Sequence, residues 1–161
     1  MQAHTLPVLG PAPPIEAAAW INADAPVALE RLRGRVVLLH AFQMLCPGCV
    51  LHGLPQTQRV GQLAHDDLVV LGLHSVFEHH DAMTPAALAA FAHEFRLRFP
   101  IAIDAHRSGD PVPATMRAYA LQGTPTTLLV DRAGRLRLRH FGALDDLALG
   151  MALGGLLAES A

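Results

Sequence analysis

The sequence has only two cysteines, no strong excess of charge of either sign and no long apolar run. Its net charge of −2 gives no electrostatic reason to expect nucleic acid or an anionic membrane as a partner. No stretch approaches the ~20 apolar residues that a membrane-spanning helix needs. Hydrophobic residues make up 52% of the chain, so it should fold without stapling disulfides. We therefore expect no nucleic-acid, membrane, metal or cofactor binding.

The length of 161 residues fits one domain with a full core, and we expect residues 1–161 to form it. Residues 1–14 contain four prolines and one glycine and predict an extended N-terminal arm. The N-terminus has neither a basic region nor an apolar region typical of a signal peptide, which predicts a cytoplasmic protein. In that reducing compartment a pair of cysteines is catalytic more often than structural.

Apolar runs and helix signals alternate along the chain. Strands are predicted at 18–21, 35–42, 68–74, 99–104, 126–130 and 135–141, a single turn at 29–34, and helices at 46–64, 84–98, 110–119 and 144–157. Pro55 should kink the first of these helices. This order predicts an α/β fold, with a mixed, mostly parallel sheet flanked by helices and an antiparallel hairpin at one edge. Arginines alternate with leucines in the last hairpin strand and predict one solvated face.

Both cysteines lie in one motif, Cys46-Pro47-Gly48-Cys49, between an apolar strand and a helix. A helix N-terminus offers unpaired N–H groups and a positive dipole end, which favour a thiolate. Cys46, at the start of the helix, is the predicted nucleophile, and Cys49 one turn later is the predicted resolving thiol. The pattern therefore predicts a thiol–disulfide oxidoreductase whose partners are protein or small-molecule disulfides and thiols.

A second signal, Gly123-Thr124-Pro125-Thr126, places a proline directly before an apolar strand, where it removes a backbone donor. With it the chain resembles the thioredoxin superfamily. The resemblance rests on the segments VVLLHAF, CPGC, GTPT and TTLLVDRAGRLRLRHFG. The 76 positions between Cys49 and Pro125 have room for an extra strand and helix, as in the TlpA-like and redoxin (AhpC/TSA-related) branch.

The resemblance implies that Thr124–Pro125 is a cis bond that meets the C-x-x-C motif in space. The carbonyl and amide before Pro125 would then pair with an extended substrate, and Pro47 and Gly48 would complete the substrate-binding surface. The chain departs from the superfamily pattern at the position six before Cys46, where His40 replaces an aspartate. His52 stands where TlpA-like proteins carry a glutamate. Because imidazole titrates near neutral pH, His40 is the candidate proton acceptor for Cys49.

Other readings of the motif stay open. A thiol peroxidase of the peroxiredoxin type would carry a hydroxyl residue three positions before Cys46, where this chain has Gln43. A Cys/His metal-binding module could use Cys46, Cys49 and His52 with His79 or His80 as a fourth ligand. A binding module that has lost redox activity would have no need of both cysteines. His74, His79 and His80 flank a loop that either shapes the substrate groove or is solvated without a role.

Overall fold

The computed structural model describes residues 5–160, and all of its strands form one seven-stranded sheet. In chain order the strands are β1 (Gly10–Pro11), β2 (Ala17–Ile21), β3 (Val36–Phe42), β4 (Leu68–His74), β5 (Ile101–Asp104), β6 (Thr126–Val130) and β7 (Arg135–Phe141). In space the order is β1-β7-β6-β3-β4-β5-β2. The thioredoxin-like α/β fold predicted from the sequence is confirmed.

The sheet is mixed, but the expectation that it is mostly parallel is wrong. Only β3–β4 and β4–β5 pair in parallel, whereas β1–β7, β7–β6, β6–β3 and β5–β2 are antiparallel. The parallel pairs are those that the chain connects through a helix. β7 pairs with β6 as a hairpin, β1 and β2 pair at the two edges, and β6 pairs with β3 after the chain has passed through α3.

Four α-helices accompany the sheet: α1 (Leu54–Gly61), α2 (Pro85–Glu94), α3 (Ala114–Ala118) and α4 (Asp146–Ala158). A 3₁₀ turn covers Leu29–Leu32, and a π turn covers Cys49–Gly53. Helices α1, α2 and α4 pack on one face of β3, against Val36, Leu38 and Phe42. The opposite face of β3 packs against the 3₁₀ turn and the end of α3. All seven residues of β3 are buried, as expected for a central strand covered on both faces.

The segment that carries the motif differs from the single kinked helix predicted at 46–64. The backbone widens into the π turn Cys49–Gly53 before α1 begins at Leu54, which places Pro55 in the first turn of α1. Proline has no N–H to donate and its ring crowds the carbonyl four residues earlier. The wider turn directly before α1 accommodates the proline.

Helix α2 begins as predicted but ends earlier. The Thr84 side chain accepts a hydrogen bond from the Ala87 N–H, and Pro85 occupies the first helical position. The helix stops at Glu94 instead of Arg98 because Arg96 adopts a positive φ of 54° and the Leu97 N–H bonds back to the Ala92 carbonyl. This is a Schellman-type end in which an arginine occupies the position that usually favours glycine.

The predicted solvated face of β7 is wrong at Arg137, which is 2% exposed. Its guanidinium pairs with Asp131 at 3.0 Å and with Glu159 at 2.6 Å. It also donates to the carbonyls of Leu6 and Pro7. The N-terminal arm and the chain after α4 cover this end of β7 and bury the arginine. Of the predicted arm 1–14, residues 1–4 lie outside the described residues, and Gly10–Pro11 pairs with β7.

No helix among residues 5–160 is long and apolar enough to cross a membrane.

Candidate functional site

The C-x-x-C motif lies directly beyond the end of β3, where the chain turns into the π turn. The side chains of Cys46 and Cys49 form a disulfide, with their Cα atoms 5.2 Å apart. Cys46 is partly exposed and Cys49 is fully buried. Cys46 is therefore the more accessible of the two cysteines.

Two backbone groups contact the sulfur of Cys46. The Cys49 N–H donates to Cys46 Sγ over 3.2 Å, and the carbonyl oxygen of Thr124 lies 3.4 Å from the same sulfur. The N–H is one of the unpaired donors at the start of the helical segment, and it stabilises negative charge on sulfur. Cys46 thus lies between a donor from its own turn and an acceptor from a loop 78 residues away.

The Thr124–Pro125 loop packs on the motif. Its peptide bond is cis. A Cβ added to Gly48 would lie 3.3 Å from Pro125 Cδ, so the proline ring packs closely on the glycine between the two cysteines. Pro47, the other residue between the cysteines, is exposed beside them. The structure therefore brings together Cys46, Cys49 and the four residues predicted to bind substrate.

His40 lies on the face of β3 that carries the motif. It stands between Leu38 and Phe42 in a strand whose alternate side chains share a face, and both of these pack in the same cluster as Cys49. Its ring is buried, and among the described residues its Nε2 atom has no hydrogen-bond partner. Burial lowers the pKa of His40 to about 4, so the ring is neutral at pH 7.

A cleft of about 240 Å³ connects the surroundings of His40 to solvent. Its inner wall includes His40, Gly53, Pro125 and Thr127, and the exposed His52 lies along its rim. A buried polar atom without a protein partner normally bonds to water. The cleft beside His40 is wide enough to hold one.

The described residues contain no group of three or more His, Cys, Asp or Glu side chains arranged to hold a metal ion. In this state Cys46 and Cys49 bond to each other and offer no thiolate to a metal ion, and His52 is exposed. His80 is engaged elsewhere, since its Nε2 lies 2.9 Å from the Pro111 carbonyl.

His74 has a contact that the sequence analysis did not identify. This last residue of β4 is buried, and its Nε2 accepts a hydrogen bond from the Met44 N–H over 3.3 Å. Burial lowers the pKa of His74 to about 4, which keeps the ring neutral and able to accept. Gln43 forms a second hydrogen bond between the same two segments, because its Oε1 accepts from the Phe77 N–H. Together they hold the turn before Cys46 against the loop after β4. The sequence signal for this contact is a polar residue, His74, at the end of an apolar strand.

Gly53 provides a test of the packing under the motif. A Cβ at this position would lie 2.5 Å from two ring atoms of His40 and 3.3 Å from Pro125 Cβ. Both neighbours belong to the site, so Gly53→Ala is expected to displace them and to lower the free energy of unfolding by about 1–3 kcal/mol. Gly61→Ala, at the end of α1, is the matched control because nothing lies within 4 Å of its added Cβ. It should be neutral or slightly stabilising. Urea unfolding of both variants checks the difference, and equal effects would contradict the packing described.

Comparison with known proteins places these features in context. The AhpC/TSA family matches residues 8–139. A crystal structure of a thioredoxin-like superfamily protein is 48% identical, with a TM-score of 0.90 over 94% of this chain and 99% of that one. A thiol-disulfide isomerase from Corynebacterium glutamicum is 49% identical, with a TM-score of 0.87 over 92% of this chain and 98% of its own. Protein DipZ from Mycobacterium bovis is 30% identical over 129 residues, and the match spans 78% of this chain but only 17% of DipZ.

Proposed function

We propose that this chain, which belongs to the AhpC/TSA family and to the redoxin branch of the thioredoxin superfamily, is a thiol-disulfide oxidoreductase in which Cys46 attacks and Cys49 resolves. The observation that carries this order is the difference in burial between the two sulfurs. Cys46 is partly exposed, whereas Cys49 is 0% exposed. Only Cys46 can approach a disulfide on another molecule without opening the helix.

The reaction runs in two exchanges. The Cys46 thiolate attacks one sulfur of a substrate disulfide, forming a mixed disulfide and releasing the other substrate sulfur as a thiolate. Cys49 then loses its proton and attacks Cys46 Sγ, which releases the second substrate thiolate. The Cys46–Cys49 pair ends oxidised, the substrate ends with two thiols, and two electrons have passed from the protein to the substrate. The reverse sequence oxidises a substrate dithiol.

The Thr124–Pro125 loop supplies the docking edge in this proposal. The Thr124 carbonyl already lies beside Cys46 Sγ, and the Pro125 carbonyl accepts from the Gly142 N–H. We propose that an extended substrate segment pairs with the Thr124 backbone while Pro47 and Gly48 flank the sulfur. Leu45 and Leu51, which are 58% and 68% exposed beside the motif, form an apolar rim. Such a rim favours protein disulfides over small polar ones.

His40 is proposed as the proton acceptor for Cys49. Its burial on the motif side of β3, its unpartnered Nε2 and its contact with Gly53 support that role. His40→Ala is expected to slow resolution about 10²–10⁴-fold, the usual contribution of a general base, and to change the pH–rate profile of that step. Rapid-quench measurement of mixed-disulfide decay from pH 5 to 9 checks this.

Two further measurements distinguish the loss of a base for Cys49 from a general loss of reactivity in the variant. Alkylation of Cys46 should proceed at the parent rate in His40→Ala, because the substitution removes a base for Cys49 and not the donor to Cys46. His40→Asp should restore part of the resolution rate. A His40→Ala protein with the parent pH–rate profile would rule the role out.

The peroxidase alternative gains no support from the site. Gln43 occupies the position where the hydroxyl would orient a peroxide, and it is buried with its amide oxygen bonded to the Phe77 N–H.

We also propose that the protein works in the cytoplasm as a single domain over residues 1–161. Acid-quenched alkylation of whole cells would show reduced Cys46 and Cys49 if so, and a stable disulfide would contradict a reducing location.

A further inference from the structure

A second concave site lies at the end of the sheet opposite to the disulfide. The motif follows Phe42, which pairs with His74, whereas this groove is lined by the beginning of β4 near Leu68, which pairs with Val36. The groove has a volume of about 770 Å³, within the range of small-molecule sites. The end of α1 and the segment after α2 form its two walls.

Three arginines, Arg35, Arg96 and Arg98, line the groove. None of their guanidinium groups forms a hydrogen bond or ion pair within the part of the chain that the structure describes. The arginines outside the groove mostly do so: Arg59, Arg107, Arg117, Arg132, Arg135 and Arg137 pair with carboxylates and Arg139 with a carbonyl. Among the described residues, no Asp or Glu lines the groove. No carboxylate of the lining therefore pairs with these guanidinium groups.

The floor of the groove is apolar and aromatic. Phe95 is 48% exposed there, and Phe99, which is buried, lies behind it. The Gln58 side chain donates to the carbonyls of Phe95 and Arg96, at 3.0 and 3.3 Å, and so fixes the wall of α1 to the segment after α2. These hydrogen bonds hold the two walls of the groove together, and the groove combines aromatic side chains with guanidinium groups.

Arg96 is held in an unfavourable backbone conformation. It has a φ of 54°, at the helix-ending position where glycine is common. A non-glycine residue there costs stability, and sites of this kind often serve function. Glycine would satisfy this backbone better, so Arg96→Gly removes the side chain without straining the fold.

We propose that this arginine groove, formed by Arg35, Arg96 and Arg98 over Phe95 and Phe99, binds a small organic anion with an apolar body. The guanidinium groups donate to the carboxylate, sulfonate or phosphate of the ligand, and the aromatic floor covers its apolar part. This binding is separate from the disulfide exchange, because the lining of the groove includes neither the motif nor the Thr124–Pro125 loop and shares no residue with the cleft beside His40.

The probe for this site is 8-anilinonaphthalene-1-sulfonate, an aromatic sulfonate whose fluorescence rises on binding. Titration of the oxidised, full-length chain should show saturable binding that weakens with salt. Arg96→Gly and Arg98→Gln should each weaken the affinity about tenfold, as expected for the loss of one charge-assisted contact. Arg96→Gly should also raise the melting temperature, so that its weaker binding cannot come from unfolding.

Two controls separate charge recognition from apolar adsorption. Arg31→Gln removes an exposed, unpaired arginine outside the groove and should leave the affinity unchanged. The neutral analogue N-phenyl-1-naphthylamine should bind Arg96→Gly and the parent with equal affinity. Phe95→Ala should lower the affinity for both probes. The proposal is overturned if the parent does not bind the sulfonate, if Arg96→Gly and Arg98→Gln keep the parent affinity, or if Arg31→Gln loses as much. Stronger competition by a wholly acidic peptide than by benzoate would also overturn it, in favour of a protein partner.

Discussion

Replacing Cys46 by serine is expected to abolish disulfide exchange, leaving the rate at the uncatalysed background. Serine keeps the size of the side chain but its hydroxyl does not ionise near neutral pH, so the attacking anion is lost. The fold should survive, because Cys46 is partly exposed and its backbone contacts do not depend on sulfur. Reduction of a fluorescent disulfide substrate, followed with equal concentrations of parent and variant, measures the loss.

Cys49→Ser is the matched variant and should behave differently. With the resolving thiol absent, the first exchange still occurs and the protein accumulates as a mixed disulfide through Cys46. Mass spectrometry after mixing with substrate should find that adduct in Cys49→Ser and not in Cys46→Ser. The order of attack is wrong if Cys49→Ser resists alkylation near neutral pH while Cys46→Ser is alkylated readily.

The sequence predicted the parts of this fold that depend on local patterns. β4, β6 and β7 have the predicted bounds, and β3 begins one residue later than predicted. These strands are apolar runs or hairpins bounded by turn residues, so neighbours in sequence determine them. The C-x-x-C at the junction of a strand and a helix and the proline at a strand start are local signals as well. That the two lie together in space was implied by the resemblance to the thioredoxin superfamily and not by local pattern.

Features that depend on distant parts of the chain were not predictable in the same way. The direction of β6 relative to β3 is decided by the path of the chain through α3, which no local pattern encodes. The burial of Arg137 depends on segments more than 100 residues apart in sequence, since Leu6 and Glu159 both contact it. His74 was predicted to end a strand beside a polar loop, and only the fold shows that its ring accepts from the Met44 N–H.

Arg137 carries the largest stability effect that we expect outside the motif. Arg137→Met keeps much of the side-chain volume but leaves the buried carboxylate of Asp131, which is 4% exposed, without its main partner. Removing one member of a buried ion pair costs about 3–5 kcal/mol. We expect about 3 kcal/mol, because Arg135 still pairs with Asp131 at 2.8 Å. For a chain of this size the melting temperature should fall by roughly 6–12 °C, measured by calorimetry.

The pH dependence of that loss identifies its cause. Burial alone would raise the pKa of Asp131, but the Arg135 N–H and the guanidinium groups of Arg137 and Arg135 outweigh it and lower the pKa. A carboxylate with a lowered folded pKa stabilises the fold above about pH 4, and that stabilisation is lost as the pH falls through the folded pKa. The gap between the parent and Arg137→Met should therefore be full at pH 7 and shrink below pH 4. Arg139→Met, on the same strand, loses one bond to the Tyr119 carbonyl and should cost about 1 kcal/mol with no such pH dependence. A gap for Arg137→Met that stays constant down to pH 3 would show that lost packing, and not the ion pair, is responsible.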